Sequence, residues 1–170
     1  MRSSTLIKHY KKNKRPSSQK ELNWFKSQPS LERAVEIAVS ATNDRGKRYS
    51  HQCKIPKAAL VQAKPVLMAM VNDFRQCESF DQVFDLVREL RKIQGIGELY
   101  VYDTALRIGA YLGLLPEKVY LHAGTRVGAK ELGFDSKRKT IEMNELPPEF
   151  QELQPLEVED VFCIYKTSLS

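Results

Sequence analysis

Apolar residues recur along this chain at helical spacing, each run opened by a residue that can cap a helix, while the alternation of a half-buried strand is almost absent. Ser30 precedes Leu31, Ala34, Val35, Ala38 and Val39, which fall on one helical face. Ser18 with Glu21, and Ser79 with Gln82, have the spacing of capping boxes, the first before Leu22, Trp24 and Phe25, the second before Phe80, Val83, Phe84, Val87 and Leu90. The second helix is expected to end near Lys92. Pro56 suits the first turn of a helix through Ala63, and Pro65 opens or kinks the next, through Phe74. Another run follows Gly97 to about Gly113, and a shorter helix is expected over 123–132. Residues 135–148 read as irregular, and Pro155 starts a last segment, LEVEDVFCIY, read as a helix in preference to a strand. The sequence therefore predicts an all-α fold of eight or so helices in a two-lobed bundle.

Charge divides the chain more sharply than its net value of +6 suggests. Residues 1–48 hold twelve basic and four acidic side chains, whereas residues 141–170 hold one basic and seven acidic. A basic front half attracts phosphate, with a strength that falls as salt rises. The acidic end is expected to fold back on the basic face or to repel DNA from the wrong side. On this pattern, residues 1–17 read as a basic tail that includes Lys8, Lys11, Lys12, Lys14 and Arg15, residues 18–133 as one helical core, and residues 134–170 as an acidic C-terminal segment. Cys53, Cys77 and Cys163 make neither a CxxC pair nor an even-numbered framework, which argues against a disulfide scaffold. The N-terminus lacks a secretion-signal core and there is no 18-residue apolar run, so a soluble, cytoplasmic protein is expected.

The sharpest local signal is Ile93-Gln94-Gly95-Ile96-Gly97, which lies between two helical patterns with no room for a longer loop. Gly95 and Gly97 permit positive φ and leave the backbone uncovered, while Ile93 and Ile96 anchor the turn. The N–H groups that open the next helix point along its positive end, where a phosphate oxygen can be held. Arg88, Arg91 and Lys92 precede the turn, and the loop Thr42–Ser50 carries Arg45, Lys47 and Arg48. The plain alternative is a tight helix–helix turn whose glycines serve geometry alone.

These residues resemble the helix-hairpin-helix motif, and a wider stretch, from about Leu31 to Gly133, is similar to the DNA glycosylase superfamily that includes endonuclease III. AVSATND at Ala38–Asp44, IQGIG at Ile93–Gly97 and KVYLHAGTRVGAKELG at Lys118–Gly133 occur in the family's order. The resemblance implies an all-helical fold with a cleft between two subdomains, a hairpin that grips backbone phosphate, and a flipped-out base. It also implies a departure at the chemistry. Leu99 stands where bifunctional members carry their Schiff-base lysine, and His122 falls where the family's aspartate is expected. A leucine forms no imine, and a histidine does not supply the same anionic stabilisation of a sugar cation. The four cysteines of an iron–sulfur cluster are also missing, only Cys163 remaining near the C-terminus.

The expectation is thus a monomeric protein that binds duplex DNA with low sequence specificity, related to repair and leaning away from enzymatic activity. Lys92, Gly95, Ile96, Gly97, Arg45, Lys47, Arg48 and Arg126 are its candidate contacts. An active glycosylase or lyase with non-standard residues is the alternative enzyme, with Asp103 and His122 as its candidate pair, and a helical protein-interaction module is the alternative of another class. His51 and Cys53 form an HxC pair without further ligands nearby, so neither a metal site nor a cofactor is expected. Tyr100, Tyr102 and Tyr111 have the spacing of packing residues as well as of base-stacking ones.

Overall fold

Burial of apolar stripes at helical period needs helix against helix, and the computed structural model of the chain, which describes residues 3–169, is built that way. Among the described residues there are nine α-helices and a single two-stranded sheet. None of the helices is long and apolar enough to cross a membrane. The chain divides into two compact units, one formed by Lys20–Leu115 and the other by Met1–Gln19 with Pro116–Ser170.

The Lys20–Leu115 unit is organised on its longest helix, α7. Here α3 (Leu31–Val39), α4 (Lys57–Ala69), α5 (Val71–Gln76), α6 (Phe80–Val87) and α7 (Glu98–Leu112) follow one another, with α7 packed against α3 and α6 and α3 packed against α4. The core includes Ala34, Val35, Phe74, Val83, Val87, Tyr100, Ala105 and Ile108. Each large apolar side chain so buried contributes about 1.5–3 kcal/mol. The caps read from the sequence are formed at two starts: Ser30 Oγ accepts from Arg33 N–H at 3.1 Å, and Ser79 Oγ accepts from Gln82 N–H at 3.3 Å. Gly113, at φ +72°, closes α7 in the left-handed conformation. Pro65 neither opens nor ends a helix, because α4 runs through it. The carbonyl four residues earlier belongs to Val61, a highly exposed residue, so water can replace the missing N–H. The helix expected to reach Lys92 stops at Val87 and tightens into a 3-10 turn over Arg88–Lys92.

The other unit corrects the sequence reading most. Residues 1–17 are not a solvated tail: α1 spans Ser3–Asn13 and α2 spans Arg15–Lys26, while the first two positions of the segment lie outside the described residues. Leu6, Ile7 and Tyr10 lie within one helical turn of each other and bury, leaving Lys8 and Lys12 exposed and Lys11 half-buried at the edge of that face. The Ser18–Glu21 box does not open a helix, since α2 already starts at Arg15 with Pro16 in its first turn, and Ser18 Oγ donates to Asp160. The core joins α1 to α8 (Ala123–Glu131), α9 (Pro155–Ile164) and the antiparallel strands β1 (Val119–Tyr120) and β2 (Thr140–Ile141), with Val119, Leu121, Ile141, Phe150 and Phe162 buried. Gly128 lets α8 approach α9 closely, because a Cβ there would stand 2.6 Å from the Phe162 carbonyl oxygen. The last segment is helical, as the preferred reading had it.

Opposite charges close this unit. Lys11 pairs with Glu152 at 2.8 Å, Arg15 Nε with Glu157 at 2.6 Å, and Tyr10 donates to Asp160 at 2.7 Å. Burial, together with the neighbouring Asp160 carboxylate, pushes the Tyr10 hydroxyl well above its usual range. The acidic C-terminal segment thus folds onto the basic N-terminal helices, which is why neither behaves as an independent tail.

Candidate functional site

The glycine turn lies between the 3-10 turn and α7, in the Lys20–Leu115 unit. Ile96 is buried, whereas Gln94, Gly95 and Gly97 are exposed. Ile96 N–H donates to the Ile93 carbonyl at 3.2 Å, and Arg91 Nη1 donates to the Ile96 carbonyl at 3.2 Å, so the cation before the turn is used to hold it shut. The two glycines turn out to have different reasons. Gly95 has φ +93°, and a Cβ there would press on the Pro56 ring at 3.1 Å, so both backbone and packing require glycine. Gly97 is the N-cap of α7 with φ −99° and ψ 175°, extended backbone open to any residue. A Cβ at Gly97 would meet nothing within 4 Å. The expectation of positive φ is therefore corrected for Gly97 and met for Gly95. Gly97 stands at the start of α7, whose first N–H groups have no carbonyl within the helix.

The basic loop is tied to this turn. Arg48 Nη1 donates to the Ile55 carbonyl at 2.7 Å, and the next residue, Pro56, is the one that packs on Gly95. Within the loop, Asn43 Oδ1 accepts from Arg45 N–H at 2.9 Å and from Lys47 N–H at 3.0 Å, with Gly46 left-handed at φ +70°. Arg45 and Lys47 are exposed, while the Arg48 guanidinium is committed to main-chain carbonyls. Lys92 is exposed and paired with Glu89 three residues earlier, an arrangement worth under about 1 kcal/mol and easily given up for a phosphate. Arg126 belongs to the other unit, where its Nε lies 3.4 Å from the Arg138 carbonyl.

Asp103 and His122, the expected catalytic pair, fall one in each unit. Asp103, on the second turn of α7, accepts from Gln52 Nε2 at 2.7 Å and is paired with His51 Nε2 at 2.9 Å. His122, in the other unit, lies with its Nε2 2.5 Å from Glu159 Oε1. The HxC pair is divided as well, since Cys53 Sγ turns to the Tyr49 carbonyl at 3.4 Å. The hydrogen bond to Asp103 raises the His51 pKa above its ordinary value. With its imidazole about half exposed and oriented by a carboxylate, His51 has the arrangement that takes up or delivers a proton near neutral pH, or adds positive charge when protonated.

Beneath this pair stands a residue the sequence reading missed. Arg107, four residues after Asp103 on α7, is only 2% exposed. Its Nε donates to Glu21 Oε1 and its Nη1 to Gln52 Oε1, both at 3.0 Å, and its guanidinium lies 4.1 Å from the centre of the Tyr49 ring. The signal was available as Asp103 and Arg107 at i, i+4 on an otherwise apolar helix. Of the tyrosines, Tyr100 is a packing residue: its hydroxyl donates to the Val39 carbonyl at 2.5 Å, and burial pushes its pKa up to about 12. Tyr102 is buried in the same helix. Leu99 follows Gly97 by two residues on the first turn of α7. No family model, curated protein or solved structure matches this chain.

Proposed function

We propose that the protein binds duplex DNA by docking the turn Ile93–Gly97 on a backbone phosphate, as a helix-hairpin-helix protein of the DNA glycosylase kind that does not excise bases. The observation that carries this reading is Gly97. Neither its φ nor any atom within 4 Å demands a glycine at this N-cap of α7, where the first N–H groups have no carbonyl within the helix. Backbone N–H groups at such an end hold a phosphate without reading sequence. Support also comes from the loop with Arg45 and Lys47, linked through Ile55 and Pro56 to the turn, and from Lys92 just before it. The absence of excision rests on Leu99 and His122 at the positions where the family carries its lysine and aspartate.

Two assays test the reading. Fluorescence anisotropy of a labelled duplex at low salt should show Gly97→Val binding about 5- to 150-fold more weakly than the parent, the equivalent of about 1–3 kcal/mol for a charge-assisted hydrogen bond. Equal affinity in a folded variant reduces the turn to architecture. Duplexes carrying uracil, 8-oxoguanine, an alkylated purine or an abasic site, followed by alkali, should remain uncleaved. A second reading, acid–base chemistry on the bound strand, is favoured by the half-exposed His51 held by Asp103. Multiple-turnover cleavage lost in Asp103→Asn and in His51→Ala establishes it, whereas loss in His122→Ala alone puts the chemistry in the other unit.

A further inference from the structure

The unit made of Met1–Gln19 and Pro116–Ser170 holds a second cluster of chemically active side chains, unrelated to the turn at Gly97. His122, Glu159 and Cys163 bring an imidazole nitrogen, a carboxylate oxygen and a thiol sulfur within 4.8 Å of one another. Each is placed by a separate piece of local structure. His122 is the N-cap of α8, in extended backbone, held by a hydrogen bond from its own N–H to Thr125 Oγ1 at 2.7 Å. Glu159 and Cys163 are four residues apart on α9 and therefore share a helix face. Gly128 allows α8 and α9 to come close enough for the two contributions to meet.

We propose that these three residues bind a divalent ion of the zinc class, with the fourth position open to solvent. The donor set selects the ion: thiolate and imidazole favour zinc and its neighbours and disfavour magnesium and calcium, which take oxygen ligands. In a tetrahedral zinc site with bonds of about 2.0–2.3 Å, the ligand atoms stand roughly 3–4 Å apart, so an entering ion parts His122 Nε2 from Glu159 Oε1, now 2.5 Å apart, and draws the widest pair of the 4.8 Å cluster inward. His122 and Glu159 are both buried, at 4% and 5% exposure, and a cation between them offsets the desolvation of the carboxylate. Cys163 and Gly124 are partly exposed, which leaves an approach from solvent.

That approach has a definite size. A Cβ built on Gly124 would lie 3.6 Å from Cys163 Sγ and 3.6 Å from His122 Nδ1, ordinary contact distances with no clash. A methyl-sized space therefore borders the sulfur and the ring, large enough for a water as fourth ligand. Binding the ion transfers the Cys163 thiol proton to solvent. The ring holds Gly124 N–H on Nδ1 at 3.3 Å and Glu159 on Nε2, so the ion takes the place of one of these two hydrogen bonds.

The test uses cobalt(II) as the optical probe on the full-length protein stripped of metal. Titration should give a thiolate-to-cobalt charge-transfer band and tetrahedral visible bands that saturate at one ion per chain and are bleached by zinc(II). Cys163→Ser should abolish the charge-transfer band, and Glu159→Gln should weaken binding by at least about tenfold. Gly124→Ala, which fits the space without clash, should stay folded by circular dichroism and bind more weakly, so the test survives if Cys163→Ser does not fold. Cys53→Ser should behave as the parent. A parent protein without the charge-transfer band, a band that survives Cys163→Ser, or a band lost in Cys53→Ser overturns the proposal.

Discussion

Arg107→Met removes the cation buried beneath the His51–Asp103 pair while keeping the volume of the side-chain stem. In the Lys20–Leu115 unit the substitution deletes two hydrogen bonds of 3.0 Å, to Glu21 and Gln52, and the stacking on Tyr49 at 4.1 Å. The Gln52 amide oxygen, in a residue 2% exposed, is left without that donor, at a cost of about 1–3 kcal/mol. Glu21 is about one-third exposed, so water recovers part of its charge and its share is smaller than for a fully buried partner. Adding the cation–π contact, the whole change is expected at about 3–5 kcal/mol, the range found when one member of a buried ion pair is removed. Arg107→Lys should recover only part of this, because an ammonium does not present the planar fork that spans both acceptors. Urea denaturation with linear extrapolation measures it, with Arg75→Ala as the reference. Arg75 and its partner Glu32 are both about half exposed, so that loss should stay under about 1 kcal/mol. An Arg107→Met variant within 1 kcal/mol of the parent would refute the claim that this network holds the site.

The remaining predictions follow from single residues. Gly95→Ala should destabilise the protein by about 1–3 kcal/mol, since φ is +93° and Pro56 is in the way, while Gly97→Ala leaves the melting temperature unchanged. The raised His51 pKa means that the His51–Asp103 pair contributes most below the unfolded histidine value near 6.5 and loses its contribution as pH rises through the higher folded value. The unfolding free energy measured across that window should therefore fall with rising pH, and His51→Ala should remove the step. Leu6→Ala should cost about 2–5 kcal/mol in a denaturation experiment, as expected of a residue 3% exposed and not of a tail.

Legibility in the sequence followed the range of the forces involved. Ser30 and Ser79 announce their helices because capping is local, and the apolar faces of α3, α6 and α7 repeat often enough to be read. The N-terminal helices were obscured because eleven polar or basic residues surround Leu6, Ile7 and Tyr10 in the stretch 3–17, and only the partners from residues 119–169 make those three a core. β1 and β2 are two residues each, too short for any alternation to register. At the site, the turn and its two glycines were visible, but the difference between them was not, since the Pro56 ring that a Cβ at Gly95 would meet comes from 39 residues earlier in the chain. The pairing of Asp103 with His51, 52 residues away, and of His122 with Glu159, 37 away, is set by tertiary packing that no spacing rule records.

The most direct test of the central claim is the salt dependence of duplex binding. If Arg45, Lys47 and Lys92 neutralise phosphates, a plot of log affinity against log salt should have a slope of about −3, and Arg45→Ala with Lys47→Ala should reduce it to about −1. Gly97→Val should give a line parallel to the parent and displaced to weaker binding, because the backbone contact it blocks carries no counterion. A slope near zero, or a Gly97→Val line that coincides with the parent, contradicts phosphate docking at this turn.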